Sequence, residues 1–137
     1  MSILLAAFVL IQPATPPVGQ RTAPAERLIS GAALVPDEEQ DPLIAAAAAF
    51  PLGSAENPVR VGGPEGEIAY IQRLRCTTGA PPAIGTRSQR GPGAFGSVVA
   101  AYQLSCPNAG SVTLVMDMYH AEHREDRAPA GFTIQPR

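Results

Sequence analysis

The sequence predicts a small α+β to mostly β domain, built on an antiparallel sheet and stapled by one disulfide. Three observations lead to this fold class. Segments between residues 67 and 120 alternate apolar and polar residues, as half-buried strands do. The chain has 2 cysteines, Cys76 and Cys106, and no third thiol competes with them. An apolar run and a Pro/Ala-rich stretch come first, so we expect the domain to span residues 53–137.

The first 20 residues have the character of a signal peptide. Residues 2–11 read SILLAAFVLI and are followed at once by prolines. This run is too short for a membrane-spanning helix of roughly 20 residues and matches the apolar core of a secretory signal. No basic residue precedes Arg21 and no clean cleavage site follows, so a mis-assigned start or an N-terminal strand is the alternative. The prediction is an exported protein, periplasmic or secreted, with no transmembrane anchor in the mature chain.

Residues 21–52 are interpreted as an acidic, Pro/Ala-rich tether. They show no alternation of apolar residues and almost no aromatics, so they bury too little surface to offset their ordering entropy. Within them, residues 38–50 place acidic side chains before an alanine-rich run. High helix propensity and the charge preferred at a helix N-terminus predict a short helix there.

The domain begins with a short extended run, Asn57–Val61, which turn residues close. The next segment, Glu67–Cys76, can be compared with the two-residue period of a strand and with the 3.6-residue period of a helix. As a strand it has four apolar positions of five on one face and two of five on the other, which favours a strand. A helix with Ile68, Ile71 and Leu74 on one side remains the alternative.

The second half of the domain predicts a long loop and a hairpin. Residues 76–96 are rich in glycine, proline and arginine and are interpreted as a loop. Two alternating runs follow, Ser97–Cys106 and Ser111–His120, with the turn Pro-Asn-Ala-Gly between them. This arrangement is typical of a β-hairpin.

A disulfide between Cys76 and Cys106 is the expected role of the cysteines. Both fall at the ends of predicted strands, and the closed loop of about thirty residues stabilises a small domain by roughly 3 to 4 kcal/mol. A catalytic redox pair is more often written Cys-x-x-Cys, which is absent. The cysteines therefore predict a structural disulfide in a protein of an oxidising compartment.

Four arginines make a candidate surface for an anion or a partner. Arg87 and Arg90 flank a serine in the predicted loop, and Arg73 and Arg75 lie on the predicted strand. Beside a glycine-rich run, such guanidinium groups suit a carboxylate, a sulfate or an acidic polymer. The alternative is a solvated polar face whose arginines pair with Glu65 and Glu67.

The segment from residue 116 to residue 123 suggests a metal site, with a simpler alternative. Met116, Met118 and His120 share one face of the predicted strand, and His123 follows. Methionine and histidine are suitable copper ligands in an oxidising compartment. The methionines also continue the apolar face of the strand, which makes them core residues in the alternative, and the spacing matches no closed zinc pattern.

Two further patterns carry little chemistry. Residues 91–96 fit Gly-x-Gly-x-x-Gly, but no strand–helix context surrounds them, so they predict a flexible loop and no nucleotide cofactor. Ser88, Ser97 or Ser105 could be grouped with Asp117 and a histidine as a hydrolase triad, but no nucleophile motif supports this.

Composition narrows the functional classes. The net charge is -2, and no basic stripe with interleaved aromatics indicates nucleic-acid binding. With no convergent catalytic set, the sequence favours a small exported, non-enzymatic domain that binds an unknown protein or anionic ligand and needs no cofactor. Periplasmic copper handling is the alternative.

Overall fold

The computed structural model describes residues 37–137. The predicted signal peptide, residues 1–20, and the first part of the predicted tether, residues 21–36, lie outside the described residues. The described chain forms a small domain with a mixed four-stranded sheet, a two-stranded sheet and two helices. In chain order the elements are α1 (Asp37–Ala47), β1 (Val59–Arg60), α2 (Gly63–Arg73), β2 (Leu74–Cys76), β3 (Ala83–Pro92), β4 (Val98–Ser105), β5 (Ser111–Asp117) and β6 (Phe132–Ile134).

The four-stranded sheet has the order β1-β5-β4-β3. The predicted hairpin is confirmed, because β4 and β5 pair antiparallel from Ser105↔Ser111 to Ala100↔Met116. The sheet is mixed, whereas the sequence predicts an antiparallel one, because β1 joins the other side of β5 in parallel. The chain reaches β5 from β1 only after α2 and three further strands, and no local pattern reveals the direction in which such distant strands pair.

The segment that favoured a strand, Glu67–Cys76, is mostly the helix α2. Pro64 stands in the first turn after Gly62, and Glu67, Tyr70 and Ile71 are the buried residues of the helix. The alternation count failed because one buried position is a carboxylate, whereas Ile68 is 39% exposed. The helical start signals, a proline in the first turn and an early acidic residue, were the better guide.

The predicted loop over residues 76–96 contains β3. This strand pairs with β4 from Ala83↔Ser105 to Pro92↔Val98, with irregularities after Ile84 and after Gln89. All ten of its residues are exposed, so it buries no face that would make its sequence alternate. An edge strand of this kind is held by backbone hydrogen bonds and leaves no hydrophobic signal.

The main core lies between α2 and one face of the four-stranded sheet. Its fully enclosed side chains include Ile71 from α2, Leu74 from β2, Leu104 from β4 and Met116 from β5. The other face of the sheet carries a smaller cluster, formed by Val99, Ala101 and Val115. The strand alternation therefore gives the sheet two different surfaces.

The predicted disulfide is confirmed. Cys76 and Cys106 are bonded with their Cα atoms 5.7 Å apart. Cys76 ends β2, which pairs with β6, and Cys106 directly follows β4. The bond therefore joins the two-stranded sheet to the four-stranded sheet.

The predicted helix over residues 38–50 is observed as α1, Asp37–Ala47. Ala47 is buried, and the Asn57 side chain donates a hydrogen bond of 2.9 Å to the carbonyl of Phe50. These contacts place α1 beside the start of β1. Over residues 37–137, no helix combines the length and the apolar character needed to cross a membrane.

Candidate functional site

The second face of the sheet carries a groove of about 500 Å³. Its floor is formed by β4 and β5, and the turn that connects β3 to β4 forms one wall. The opposite wall is the segment before β1, which a hydrogen bond of 2.8 Å from the Val115 amide to the Gly53 carbonyl holds against the sheet. We call this cavity the Arg90 groove; its lining residues are Gly53, Ser54, Ala55, Arg90, Gly91, Pro92, Gly93, Ala94, Val99, Thr113 and Val115.

The glycine-rich run forms the turn wall of this groove. A Cβ atom at Gly93 would collide with the side chain of Val99, so the turn lies directly against the groove floor. Gly96 has φ +81° at the end of the turn, a value that favours glycine. Phe95, between them, is fully buried. The glycine-rich motif therefore allows the backbone of the turn to lie close to the sheet.

Arg90 supplies the charge of the groove. Its side chain is exposed, and within residues 37–137 it has no hydrogen bond or ion pair. The hydroxyl groups nearby act as acceptors, since Ser54 accepts a hydrogen bond from the Asn57 backbone amide and Thr113 accepts one from Gln103, and each hydroxyl keeps its own proton to donate. The groove thus combines an apolar floor with one free guanidinium group at its edge.

The Arg87 side chain is occupied by a partly buried network that joins β3 to α2. Its guanidinium group donates to Glu67 Oε2 from Nε at 3.3 Å and from Nη2 at 3.1 Å, and to the Tyr102 hydroxyl at 2.9 Å. Tyr102 donates to the same carboxylate oxygen at 2.7 Å. Burial alone lowers the pKa of Arg87, but its bonds to Tyr102 and Glu67 outweigh burial and raise it. Arg87 therefore forms the intrachain pair with Glu67 that the alternative interpretation of the arginines predicts.

Arg73 and Arg75 are engaged with the C-terminal segment. Arg73 donates to the Gln135 carbonyl at 2.8 Å and pairs with Asp126 at 2.6 Å. Arg75 donates to the side chain of Gln135. These bonds attach the C-terminal segment to α2 and β2. Three of the four candidate arginines are therefore engaged in intrachain hydrogen bonds, and of the four only the Arg90 side chain has no partner within the described residues.

The candidate metal ligands occupy different environments. Met116 is fully buried in the main core, and Met118 is partly buried against it. His120 is buried, with its ring edge-on to Phe95 at 5.5 Å between centroids. Within the described residues there is no group of three or more His, Cys, Asp or Glu side chains placed to hold a metal ion.

Of the residues in the hydrolase grouping, Ser97, Asp117 and His120 are buried, whereas Ser88 and Ser105 are exposed. His120 Nε2 lies 3.3 Å from Asp117 Oδ2, and Asp117 is fully buried. Ser97 is also fully buried, and its hydroxyl has no hydrogen-bond partner among residues 37–137. A substrate cannot reach this hydroxyl in the observed conformation.

Sequence reasoning missed a buried cluster centred on Glu125. This carboxylate is 4% exposed and receives hydrogen bonds from Arg127 Nε at 2.9 Å and Nη2 at 2.8 Å. His123 Nε2 lies 3.3 Å away. Burial raises the pKa of Glu125, but the hydrogen bonds from Arg127 and His123 outweigh burial and lower it to about 2. Burial and the nearby Arg60 lower the pKa of His123. The surrounding charge run gave no sign that one member is buried.

Glu125 should make the domain sensitive to acid. Because its pKa in the folded state is depressed from 4.5 to about 2, its contribution to stability is complete above pH 4.5 and is lost as the pH falls towards 2. We expect E125Q to lower the free energy of unfolding by about 2 kcal/mol at neutral pH and by little near pH 2. This is less than the roughly 3 kcal/mol that the pKa change alone implies, because solvent screens the exposed Arg127 side chain. Urea titrations at several pH values measure this difference. E122Q, at an exposed glutamate, is the control, and an equal loss for E125Q at pH 7 and pH 2 would contradict the prediction.

Comparisons with protein-family models, with curated proteins and with solved structures gave no match to this chain. The groove and the charges around it are therefore the features of this chain that bear on its function.

Proposed function

We propose that this protein is a non-enzymatic binding domain that takes a carboxylate-bearing partner in the Arg90 groove. The observation that carries the proposal is the free guanidinium group of Arg90 at the edge of a cavity with an apolar floor. A guanidinium group without an internal partner offers charge-assisted hydrogen bonds to a carboxylate. Val99 and Val115 offer an apolar surface beside it. A concave apolar site with few polar groups is the usual form of a ligand-binding site.

Export of the domain is part of the same proposal. The disulfide is compatible with an oxidising compartment, since such bonds rarely persist where glutathione and thioredoxin keep thiols reduced. The partner would then be met in the periplasm or outside the cell.

Titration with octanoate tests the groove, because this probe combines an apolar chain with one carboxylate. In NMR spectra of the ¹⁵N-labelled protein we expect shift changes at Arg90, Val99 and Val115. R90Q should weaken binding at least fivefold, because the variant loses the charge-assisted hydrogen bonds.

R124Q is the matched control, since Arg124 is also exposed and has no ion pair within the described residues. 1-Octanol, which has the chain but no charge, should bind more weakly than octanoate. Shift changes that avoid the groove, or equal affinity of the parent and R90Q, would refute the proposed function.

A further inference from the structure

The outer edge of β3 has no neighbour among the described strands. β3 ends the order β1-β5-β4-β3, and all ten of its residues are exposed. Such an edge presents a row of backbone N–H and C=O groups with only water as partner. A polypeptide in extended conformation can pair with them by adding a strand.

The middle of this edge is held in a defined register. Arg87 pairs with Tyr102 in β4 by register and bonds both to the Tyr102 hydroxyl and to Glu67 in α2. Ser88 and Gln89 continue the pairing before the second irregularity. Because side-chain bonds to α2 and pairing with β4 both hold this part of β3 in place, little further ordering is needed when a partner binds. The irregularities at both ends limit an added strand to a short segment.

The charge along the outer edge of β3 favours an acidic partner. No aspartate or glutamate occurs between Glu67 and Asp117, so β3, β4 and most of β5 carry no acidic side chain. Arg87 is neutralised by Glu67, whereas Arg90 on the same strand is free. A second copy of this edge would bring no negative charge to Arg90. An acidic strand would, since side chains on neighbouring strands come within about 5 Å.

We propose that the partner of this domain is a polypeptide that adds to β3 as a fifth strand and places an acidic side chain against Arg90. This inference rests on the proposed function, because it uses the same arginine and names the kind of molecule that brings the carboxylate. The backbone of the partner supplies hydrogen bonds to β3, and its acidic side chain supplies the selectivity for sequence.

The test uses the peptide acetyl-Val-Glu-Val-Glu-Val-Glu-Val-amide and two backbone N-methylated versions of it. One version is methylated at the valines and the other at the glutamates. In an added strand, alternate residues direct their N–H groups to the neighbouring strand, so only one of the two versions removes hydrogen bonds to β3. Affinities are measured by calorimetry with the full chain, and with R90Q and R124Q.

We expect the parent peptide to bind, one methylated version to lose at least tenfold in affinity and the other to stay within about threefold. R90Q should weaken binding at least fivefold and R124Q should not. Replacing the glutamates of the peptide by glutamine should weaken binding as R90Q does.

Other outcomes would overturn the strand addition. If octanoate binds the groove but the peptide does not, or both methylated versions bind equally, the proposed function stands and the added strand is wrong. If the peptide binds with the methylation pattern but independently of Arg90, the acidic character of the partner is wrong. Concentration-dependent dimerisation with protected β3 amides would assign the edge to a second copy. If neither probe responds to R90Q, both proposals fail.

Discussion

The double variant C76A/C106A should unfold with a free energy about 3 to 4 kcal/mol below that of the parent. The bond closes a loop with a sequence separation of 30 residues, and releasing a loop of this size gives the unfolded chain that much additional conformational entropy. The bond also holds β2 against the end of β4, the link between the two sheets. For a domain of this size, the loss is a large fraction of the total stability.

Urea unfolding under oxidising conditions measures this difference. The parent protein with an added reductant is the matched control, because it should lose the same stability without a change of sequence. A double variant within about 0.5 kcal/mol of the oxidised parent would contradict the expectation, since loop closure would then contribute almost nothing.

The variant R87M should lower the free energy of unfolding by about 2 kcal/mol. Glu67 is 1% exposed, and without Arg87 its carboxylate keeps only the hydrogen bond from the Tyr102 hydroxyl. Its other oxygen, Oε1, already has no hydrogen-bond partner in the described part of the chain. Removing one member of a buried pair costs several kcal/mol, and the 42% exposure of the Arg87 side chain reduces this cost here.

A second substitution separates the buried charge from the lost packing. E67Q/R87M should be more stable than R87M, because glutamine removes the uncompensated charge and its carbonyl still accepts the bond from Tyr102. R90M is the control on the same strand and should stay within about 0.5 kcal/mol of the parent, because Arg90 has no partner within the described residues. If E67Q/R87M is no more stable than R87M, the charge of Glu67 does not cause the loss.

The pair Glu67 and Arg87 also explains why the sequence pattern predicts a strand in place of α2 and a loop in place of β3. In a count of apolar positions Glu67 belongs to the solvent face, yet the tertiary structure buries it and neutralises it from a strand 20 positions away. The sequence around Arg87 predicts a loop because β3 buries no side chain that would make its residues alternate. Each error has the same origin, since the hydrogen bonds that settle both elements join residues far apart in the chain.

The sequence by itself determined the local features of this protein. The alternation and turn of residues 97–120 specify the hairpin of β4 and β5, and two cysteines without a competitor specify the disulfide. Only the tertiary structure decided the parallel pairing of β1, the edge position of β3 and which of the four candidate arginines have intrachain partners. Hydrophobic periodicity and turn chemistry act over a few residues, whereas the pairing of strands and charges depends on which distant segments the folded core brings together.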